Sequence, residues 1–185
     1  MAKSGDVIEN PLTGERFVVH KSASETNGEY VLGEMFFRPH AAGPPEHVHP
    51  NLEERFKVVS GTLNVSVGGE ERTVTEGEEA IVPRGTPHRF WNDGEEEVRF
   101  EGEIRPALRL ETFLETAFGL ARDGKTNAHG MPNLLQAAVI MREYSDEVHL
   151  AAPPLAVQKI LFGVLAPIGR LLGYRARYPQ YSGEE

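Results

Sequence analysis

Four side chains between residues 47 and 88 are of types that bind transition metals, and their spacing can bring them together. His47 and His49 are two positions apart, and residues with that spacing in a β-strand point to the same side. Glu54 opens the next strand after a short turn, so its carboxylate can face the two imidazoles. His88 begins a further strand and adds a third imidazole. Three nitrogens and one carboxylate oxygen predict a site for one divalent transition metal ion.

The chemistry of such a site depends on the coordination positions that the protein leaves open. With four protein ligands, a five- or six-coordinate ion keeps one or two positions for substrate or dioxygen, or for action as a Lewis acid. Imidazole suits zinc, copper, iron and nickel, and the carboxylate also suits manganese. The sequence therefore predicts a metal cofactor and leaves open whether it is Fe, Mn, Ni, Cu or Zn.

The residues around these side chains resemble the two sequence motifs of the cupin superfamily. The first motif, Gly-x5-His-x-His-x(3,4)-Glu-x6-Gly, is matched within residues 43–61, although Ala41 stands where its opening glycine would be. The second motif, Gly-x5-Pro-x-Gly-x2-His-x3-Asn, is matched at every fixed position of residues 77–92. The resemblance implies four metal ligands, namely His47, His49, Glu54 and His88. The alternative is that these are surface histidines on a barrel that has lost its metal.

Strand alternation also predicts what surrounds the ion. If His88 points inward, Phe90 and Asn92 do so as well, and an inward Glu54 brings Phe56 to the same side. Either Met35 and Phe37 or Glu34 and Phe36 are expected to face the cavity from the preceding strand. We therefore expect a largely apolar, aromatic pocket lined by Phe56, Phe90 and Asn92, as is usual for small-molecule sites. The alternative is that the phenylalanines are only barrel core.

Residues 16–105 have the pattern of many short strands. Seven segments rich in β-branched and aromatic residues predict strands at 17–20, 30–37, 54–59, 62–67, 80–82, 88–91 and 98–104. Turn residues separate them, and short strands at regular spacing predict a sandwich or barrel. The resemblance makes this a mainly β protein, a double-stranded β-helix or jelly-roll barrel. We assign residues 1–106 to the barrel.

Residues 107–185 change to helical periodicity and predict a C-terminal extension that packs on the barrel or on a dimer partner. The first helix has one apolar face, formed by Leu110, Phe113, Leu114, Ala117 and Phe118. Pro132 suits the first turn of a second helix. A third helix, over residues 155–172, is apolar nearly all round, and Pro167 is expected to interrupt it.

The end of the chain has an unusual charge pattern. Residues 150–183 contain Lys159, Arg170, Arg175 and Arg177 and no acidic residue. Together with the apolar third helix, this resembles a basic element that lies on a membrane surface. We favour the alternative that the helix packs on the barrel or across a homodimer, because a large exposed apolar surface is a liability without a partner.

Composition excludes several classes of protein. The chain has 185 residues, a formal net charge of −9 and no cysteine, so disulfides and thiol catalysis are excluded. Its negative charge disfavours nucleic-acid binding. The first residues have no apolar signal sequence, and no stretch has the length of a membrane-spanning helix. A cytoplasmic protein with a small-molecule substrate or ligand is the expectation.

Three functions are compatible with these residues. The resemblance is strongest to quercetinase-like dioxygenases, which implies a metal-dependent enzyme for a small organic molecule, with Glu54 as ligand and catalytic general base. The second is a non-redox isomerase or decarboxylase at the same ion. The third is a non-enzymatic module that binds a ligand in the barrel. The sequence alone does not choose among them.

Overall fold

The structure, a computed structural model that describes residues 2–182, confirms a mainly β protein with C-terminal helices. Within that range the strands are β1 (Val7–Glu9), β2 (Arg16–Lys21), β3 (Val31–Phe37), β4 (His47–Val48), β5 (Glu53–Ser60), β6 (Thr62–Val67), β7 (Glu70–Thr75), β8 (Glu79–Val82), β9 (His88–Trp91), β10 (Val98–Arg105) and β11 (His149–Leu150). The helices are α1 (Leu110–Arg122), α2 (Leu134–Glu143), α3 (Leu155–Leu171) and α4 (Pro179–Ser182).

The strands form two antiparallel sheets that enclose an apolar core. One sheet has the strand order β1-β2-β3-β10-β5-β8, and the other has the order β11-β4-β9-β6-β7. Along β10 every second residue is buried, as expected for a strand with one face on a core. The core contains Phe37, Phe56, Phe90 and Phe100. This arrangement confirms the predicted jelly-roll barrel.

Four strands, β1, β4, β7 and β11, lie outside the seven segments predicted from sequence. β7 is one of them, and its sequence Glu-Glu-Arg-Thr-Val-Thr has a single buried residue, Val74. It is the outermost strand of its sheet, so it needs no apolar alternation. β1 is only three residues long. β11 is two residues long and belongs to the C-terminal extension, where only its pairing with β4 makes it a strand.

The C-terminal extension contacts the barrel at more than one place. Ala107, just before α1, and Phe118 of α1 pack with Ile8, Phe17 and Val31 of the barrel. α2 and α3 pack on each other around a second apolar cluster. Between these two helices, β11 adds itself to the barrel sheet beside β4. The extension is therefore part of one sheet of the barrel as well as a cover for it.

The predicted interruption at Pro167 does not occur, because α3 runs through this residue. Proline has no N–H, so the carbonyl of Gly163, four residues earlier, loses its helical hydrogen bond. Arg142 of α2 compensates, since its Nη1 donates to Gly163 O at 2.8 Å. A partner on the neighbouring helix thus keeps α3 continuous.

Pro132 lies before the second helix and is not in its first turn. α2 begins at Leu134, and Asn133 caps it by accepting hydrogen bonds from the backbone N–H groups of Leu135 and Gln136. Asparagine is a favoured residue at this position. Pro132 instead pairs with Thr126 in an isolated bridge. The helix start is therefore set by the asparagine and not by the proline.

α3 presents an apolar face to the outside. Its most exposed large side chains are Ile160, Val164 and Leu171, and Val157 and Ile168 lie on the same side. Their spacing of three, four, four and three residues forms one stripe along the helix. In the part of the chain that the structure describes, no helix has the length and hydropathy needed to cross a membrane.

Candidate metal centre

The barrel brings the four predicted ligands into one buried cluster. β4 carries His47, and His49 follows it directly, while His88 opens the neighbouring strand β9 with its Cα opposite that of His47. Glu54 enters from β5 in the facing sheet. One ligating atom from each of the four residues lies within 4.8 Å of the others, and all four residues are buried. The residues chosen by motif and by alternation are thus close enough to share an ion.

Each of the three imidazoles forms a hydrogen bond from its Nδ1 to a backbone carbonyl oxygen. His47 Nδ1 lies 2.8 Å from Pro45 O, and His88 Nδ1 lies 3.0 Å from Thr86 O. His49 Nδ1 lies 2.5 Å from Glu147 O. A carbonyl can only accept, so each Nδ1 carries the hydrogen, and the Nε2 of a neutral ring keeps its lone pair. This contact to the other nitrogen is the usual way in which proteins orient a metal-binding histidine.

The centre of the cluster contains buried polar atoms that need a cation. Glu54 Oε2 lies 2.8 Å from His88 Nε2, and both atoms are buried without a hydrogen bond. Glu54 Oε1 lies 3.5 Å from His49 Nε2. Lone pairs that face each other at such distances repel unless a proton or metal ion lies between them. The donor set therefore fits a divalent ion held by three nitrogens and one oxygen.

The charges of the cluster favour the metal-binding forms of His47 and Glu54, but not that of His88. Burial, reinforced by His88 and His49, lowers the pKa of His47 to about 3, so this ring is neutral near pH 7. Burial would raise the pKa of Glu54, but the neighbouring His49 and His88 outweigh it and lower that pKa to about 2. Burial also opposes a charge on His88, yet contact with Glu54 raises its pKa. A neutral imidazole and an ionised carboxylate are the forms that coordinate metals.

A cavity of about 230 Å³ opens onto the cluster. His47, His49 and Glu54 lie in its wall, and the rest of the wall is mostly apolar. Its aromatic side chains are Phe17, Phe37, Phe56, Phe90, Phe100, Phe113 and Phe118. Such a wall excludes water around the ligands and accepts a molecule with little polar surface.

The predicted pocket residues have different positions in the structure. Phe56 and Phe90 line the cavity. Of the two alternatives on β3, Met35 and Phe37 face the cavity, whereas Glu34 and Phe36 are not among its lining residues. Asn92 is buried but is not among the lining residues. Its Nδ2 lies within hydrogen-bond distance of three carbonyl oxygens, those of Phe37, Arg38 and Glu96. We therefore correct its role from lining the pocket to tying together the turns beside it.

Several cavity residues were not identified from the sequence. The apolar face predicted for α1 covers the cavity with Leu110, Leu114 and Ala117, among others. Glu15 and His129 also line it, far from either motif in the chain. Glu15 is buried, and its burial raises the pKa of its carboxyl against the effect of Thr13 and Arg38. The amphipathic face of α1 was the available signal, because an apolar helix face must cover something.

Comparisons with known proteins identify relatives described as oxidoreductases. The probable oxidoreductase virH of Hypocrea virens is 29% identical over 179 aligned positions, covering 86% of this chain and 80% of that protein. The oxidoreductase iacF of Pestalotiopsis fici is 34% identical over 86 positions, which cover 43% of this chain and 42% of the relative. This chain thus spans most of one fungal relative and less than half of the other.

Solved structures and family profiles identify the fold. A structure described as a predicted oxalate decarboxylase from Thermotoga maritima has a TM-score of 0.50 at 16% identity. It covers 57% of this chain and 99% of its own, which supports the barrel architecture only. A family profile described as cupin domain matches residues 33–103, the part of the chain that contains all four clustered ligands. Residues 33–103 of this chain therefore match the cupin domain family.

Proposed function

We propose that this protein is a metal-dependent oxidoreductase that acts on a small, largely apolar organic molecule. The observation that carries the proposal is a buried cluster of three histidines and one glutamate at the wall of an apolar cavity. The relatives described as oxidoreductases support redox chemistry. His47, His49, Glu54 and His88 would hold the ion, which would supply an open position for substrate or dioxygen. If both atoms of dioxygen enter the substrate, no separate reductant is needed.

The cavity limits the class of substrate. Its volume of about 230 Å³ is smaller than that of most drug-sized ligand sites, which measure about 300–1,000 Å³. A molecule with one or two rings suits this space better than a three-ring flavonol such as quercetin. Its apolar body would contact Phe56, Phe90 and the α1 face, and an oxygen substituent would point towards the histidines. The aromatic wall would keep bulk water from the reacting atoms.

Glu54 is proposed to act as a ligand more than as a general base. A base that works near neutral pH needs a pKa close to that pH. His49 and His88 instead lower the pKa of Glu54 to about 2, against the effect of its burial. The carboxylate therefore stays ionised and suits a cation. Any proton that leaves the substrate would need another acceptor, and the buried Glu15 is the other carboxyl group in the cavity wall.

Nitric oxide, a stand-in for dioxygen, tests the redox assignment. Protein loaded with iron(II) without air is expected to give the electron paramagnetic resonance signal of an iron–nitrosyl centre. Catechol, a one-ring molecule with two adjacent oxygens, is expected to change that signal, while glucose leaves it unchanged. The physical reason is that the apolar wall excludes a sugar of similar size.

Two controls make this test decisive. The His47→Ala/His49→Ala variant should give no such signal, because it lacks two of the ligands. Ala117→Trp places a large side chain in the cavity from α1 and should remove the response to catechol while iron binding persists. Iron-loaded native protein without a nitrosyl signal would exclude a dioxygen site and favour non-redox chemistry.

We also infer that the protein forms a homodimer through the outward face of α3. The stripe of Val157, Ile160, Val164, Ile168 and Leu171 repeats every three or four residues, as in helix–helix contacts. A lipid surface is the other candidate for covering this face. Two basic residues of this segment, Arg170 and Arg177, pair with Glu143, and the net charge of −9 also opposes approach to anionic lipids, so a second copy is the better partner.

Charged substitutions test the dimer. The native protein is expected to have twice the chain mass by light scattering, and Ile160→Glu/Val164→Glu is expected to have the mass of a monomer. Burying a glutamate in an apolar contact is costly, which is the reason for the loss. Ile81→Glu, an exposed apolar residue on the barrel, is the matched control and should stay dimeric. Flotation of native protein with anionic vesicles would support the lipid surface instead.

A further inference from the structure

We propose that Arg109 and Glu147, both in the C-terminal extension, form a positioning pair that holds the ligand His49 in its metal-binding orientation. The inference rests on the metal site proposed above and adds to it residues outside both cupin motifs. Neither residue contacts the cluster of ligating atoms with its own side chain. Their effect is instead transmitted through the backbone of Glu147, whose carbonyl oxygen accepts from His49 Nδ1.

His49 differs from the other two histidines in the origin of its acceptor. His47 and His88 each contact the carbonyl of the residue two positions earlier, so their own strands fix these contacts. The acceptor for His49 is 98 positions away in the chain. The barrel alone therefore orients two rings, and the extension must be in place to orient the third.

Backbone pairing places the segment that carries this carbonyl. β11 pairs with β4, opposite His47 and Val48, and Ala151 N donates to Glu46 O at 3.0 Å. On the other side, Asn51 Nδ2 donates to Asp146 O at 3.0 Å. Residues 146–151 therefore lie alongside the chain that contains His47 and His49. Only two residue pairs join β11 to β4. This ladder is short for a segment that must fix the orientation of the His49 ring.

The side chain of Glu147 supplies the additional restraint. Arg109 Nε donates to Glu147 Oε1 at 2.6 Å, and Arg109 Nη2 donates to Oε2 at 3.0 Å, which gives a two-pronged contact. The same guanidinium donates to Glu143 O and Oε1 at the end of α2. Glu147 is buried, with 2% of its surface exposed. Two-pronged arginine–carboxylate contacts are directional, and a buried carboxylate that loses its partner is strongly disfavoured.

Arg109 also links this restraint to the cavity wall. It directly precedes α1, whose Leu110, Phe113 and Leu114 line the cavity. The pair therefore joins the start of the covering helix to the carbonyl that orients His49. A loosened pair is expected to let residues 146–151 shift and His49 rotate, although all four ligands remain in the chain.

Cobalt(II) binding tests the proposal without a substrate. Its affinity and visible absorption spectrum would be measured for native protein, Glu147→Gln, Arg109→Lys and Arg109→Met. Glu147→Gln keeps the carbonyl but removes the charge, and we expect it to weaken cobalt binding by about 10- to 100-fold, as found for residues that orient metal ligands. Arg109→Met should do the same. Arg109→Lys keeps a charge and one hydrogen bond, so it should restore part of the affinity.

The matched control is Glu34→Gln, which removes the charge from another arginine–carboxylate contact of the barrel. There Arg99 Nη2 donates to Glu34 Oε1 at 2.7 Å, and neither residue belongs to the ligand cluster or to the described cavity wall. This variant should keep native cobalt affinity and spectrum. Thermal unfolding of the metal-free proteins reports separately on stability.

The outcomes separate this inference from the metal site itself. Weakened binding with an altered spectrum in the Arg109 and Glu147 variants, but not in Glu34→Gln, supports the positioning pair. Native affinity and spectrum in Arg109→Met and Glu147→Gln, even with a lowered unfolding temperature, would make the pair purely structural and overturn it. If Glu147→Gln does not fold, Arg109→Lys and Arg109→Met decide alone. Native protein that binds no cobalt would overturn the proposed metal site and this inference with it.

Discussion

Protein purified without a polyhistidine tag is expected to contain close to one equivalent of a divalent transition metal, and the His47→Ala/His49→Ala variant is expected to lose it. The substitution removes two of four ligands and leaves a buried carboxylate beside His88. Metal content would be measured by inductively coupled plasma mass spectrometry. Added metal should also raise the unfolding free energy of native protein by about 2.7 kcal/mol at 100 times the dissociation constant, and not that of the variant.

His20→Ala is the control for this experiment. His20 is the same residue type on β2 of the barrel, and it is not a member of the ligand cluster. It should therefore keep native metal content. Equal metal in native and His47→Ala/His49→Ala protein would show that the ion binds elsewhere, and no metal after reconstitution would show that the four side chains serve another purpose.

Phe100→Ala is expected to destabilise the fold by roughly 3–5 kcal/mol, the usual cost of removing a buried aromatic ring. Phe100 is fully buried, and its ring centroid lies 5.5 Å from those of Phe37 and Phe56 and 5.8 Å from that of Phe90. The phenylalanines keep each other in place at the cavity wall. Unfolding in denaturant can be followed by the fluorescence of Trp91, the single tryptophan of the chain.

Val59→Ala provides the comparison, because Val59 lies on the outward side of β5 and is 36% exposed. A change within about 0.5 kcal/mol is expected there. The unfolding should be compared in metal-free protein, so that altered metal binding does not contribute. A cost below about 1 kcal/mol for Phe100→Ala would mean that the neighbouring rings collapse into the space, and the cavity would then not be rigid.

The barrel and the cluster could be predicted because their signals are local. Alternation along β9 and β5 follows directly from the pleat of a strand, and it placed Phe90 and Phe56 on the side that lines the cavity. The turns between strands are marked by glycine and proline at positions that few other residues tolerate. Gly43 is an example, since it has a φ of +67° and a Cβ there would lie 1.9 Å from Phe90 O.

The features that sequence reasoning missed depend on distant partners. Pro167 was expected to interrupt its helix, and only Arg142 on another helix shows how the freed carbonyl is satisfied. Asn92 was expected in the pocket, but three carbonyls from separate turns hold its amide. The contact between His49 and Glu147 spans 98 positions. A periodic pattern reports on one element at a time and therefore does not reveal such contacts.

The sheet membership of β11 has a consequence for any shortened version of this protein. β4 lies between β9 and β11, so a chain ended at residue 106 would turn β4 into an open sheet edge with unpaired backbone groups. Such edges recruit strands from other molecules and promote aggregation. Loss of α1 would at the same time expose Phe17 and the apolar cavity wall to water. The minimal recombinant unit of this protein therefore extends beyond its cupin motifs, at least through Leu150.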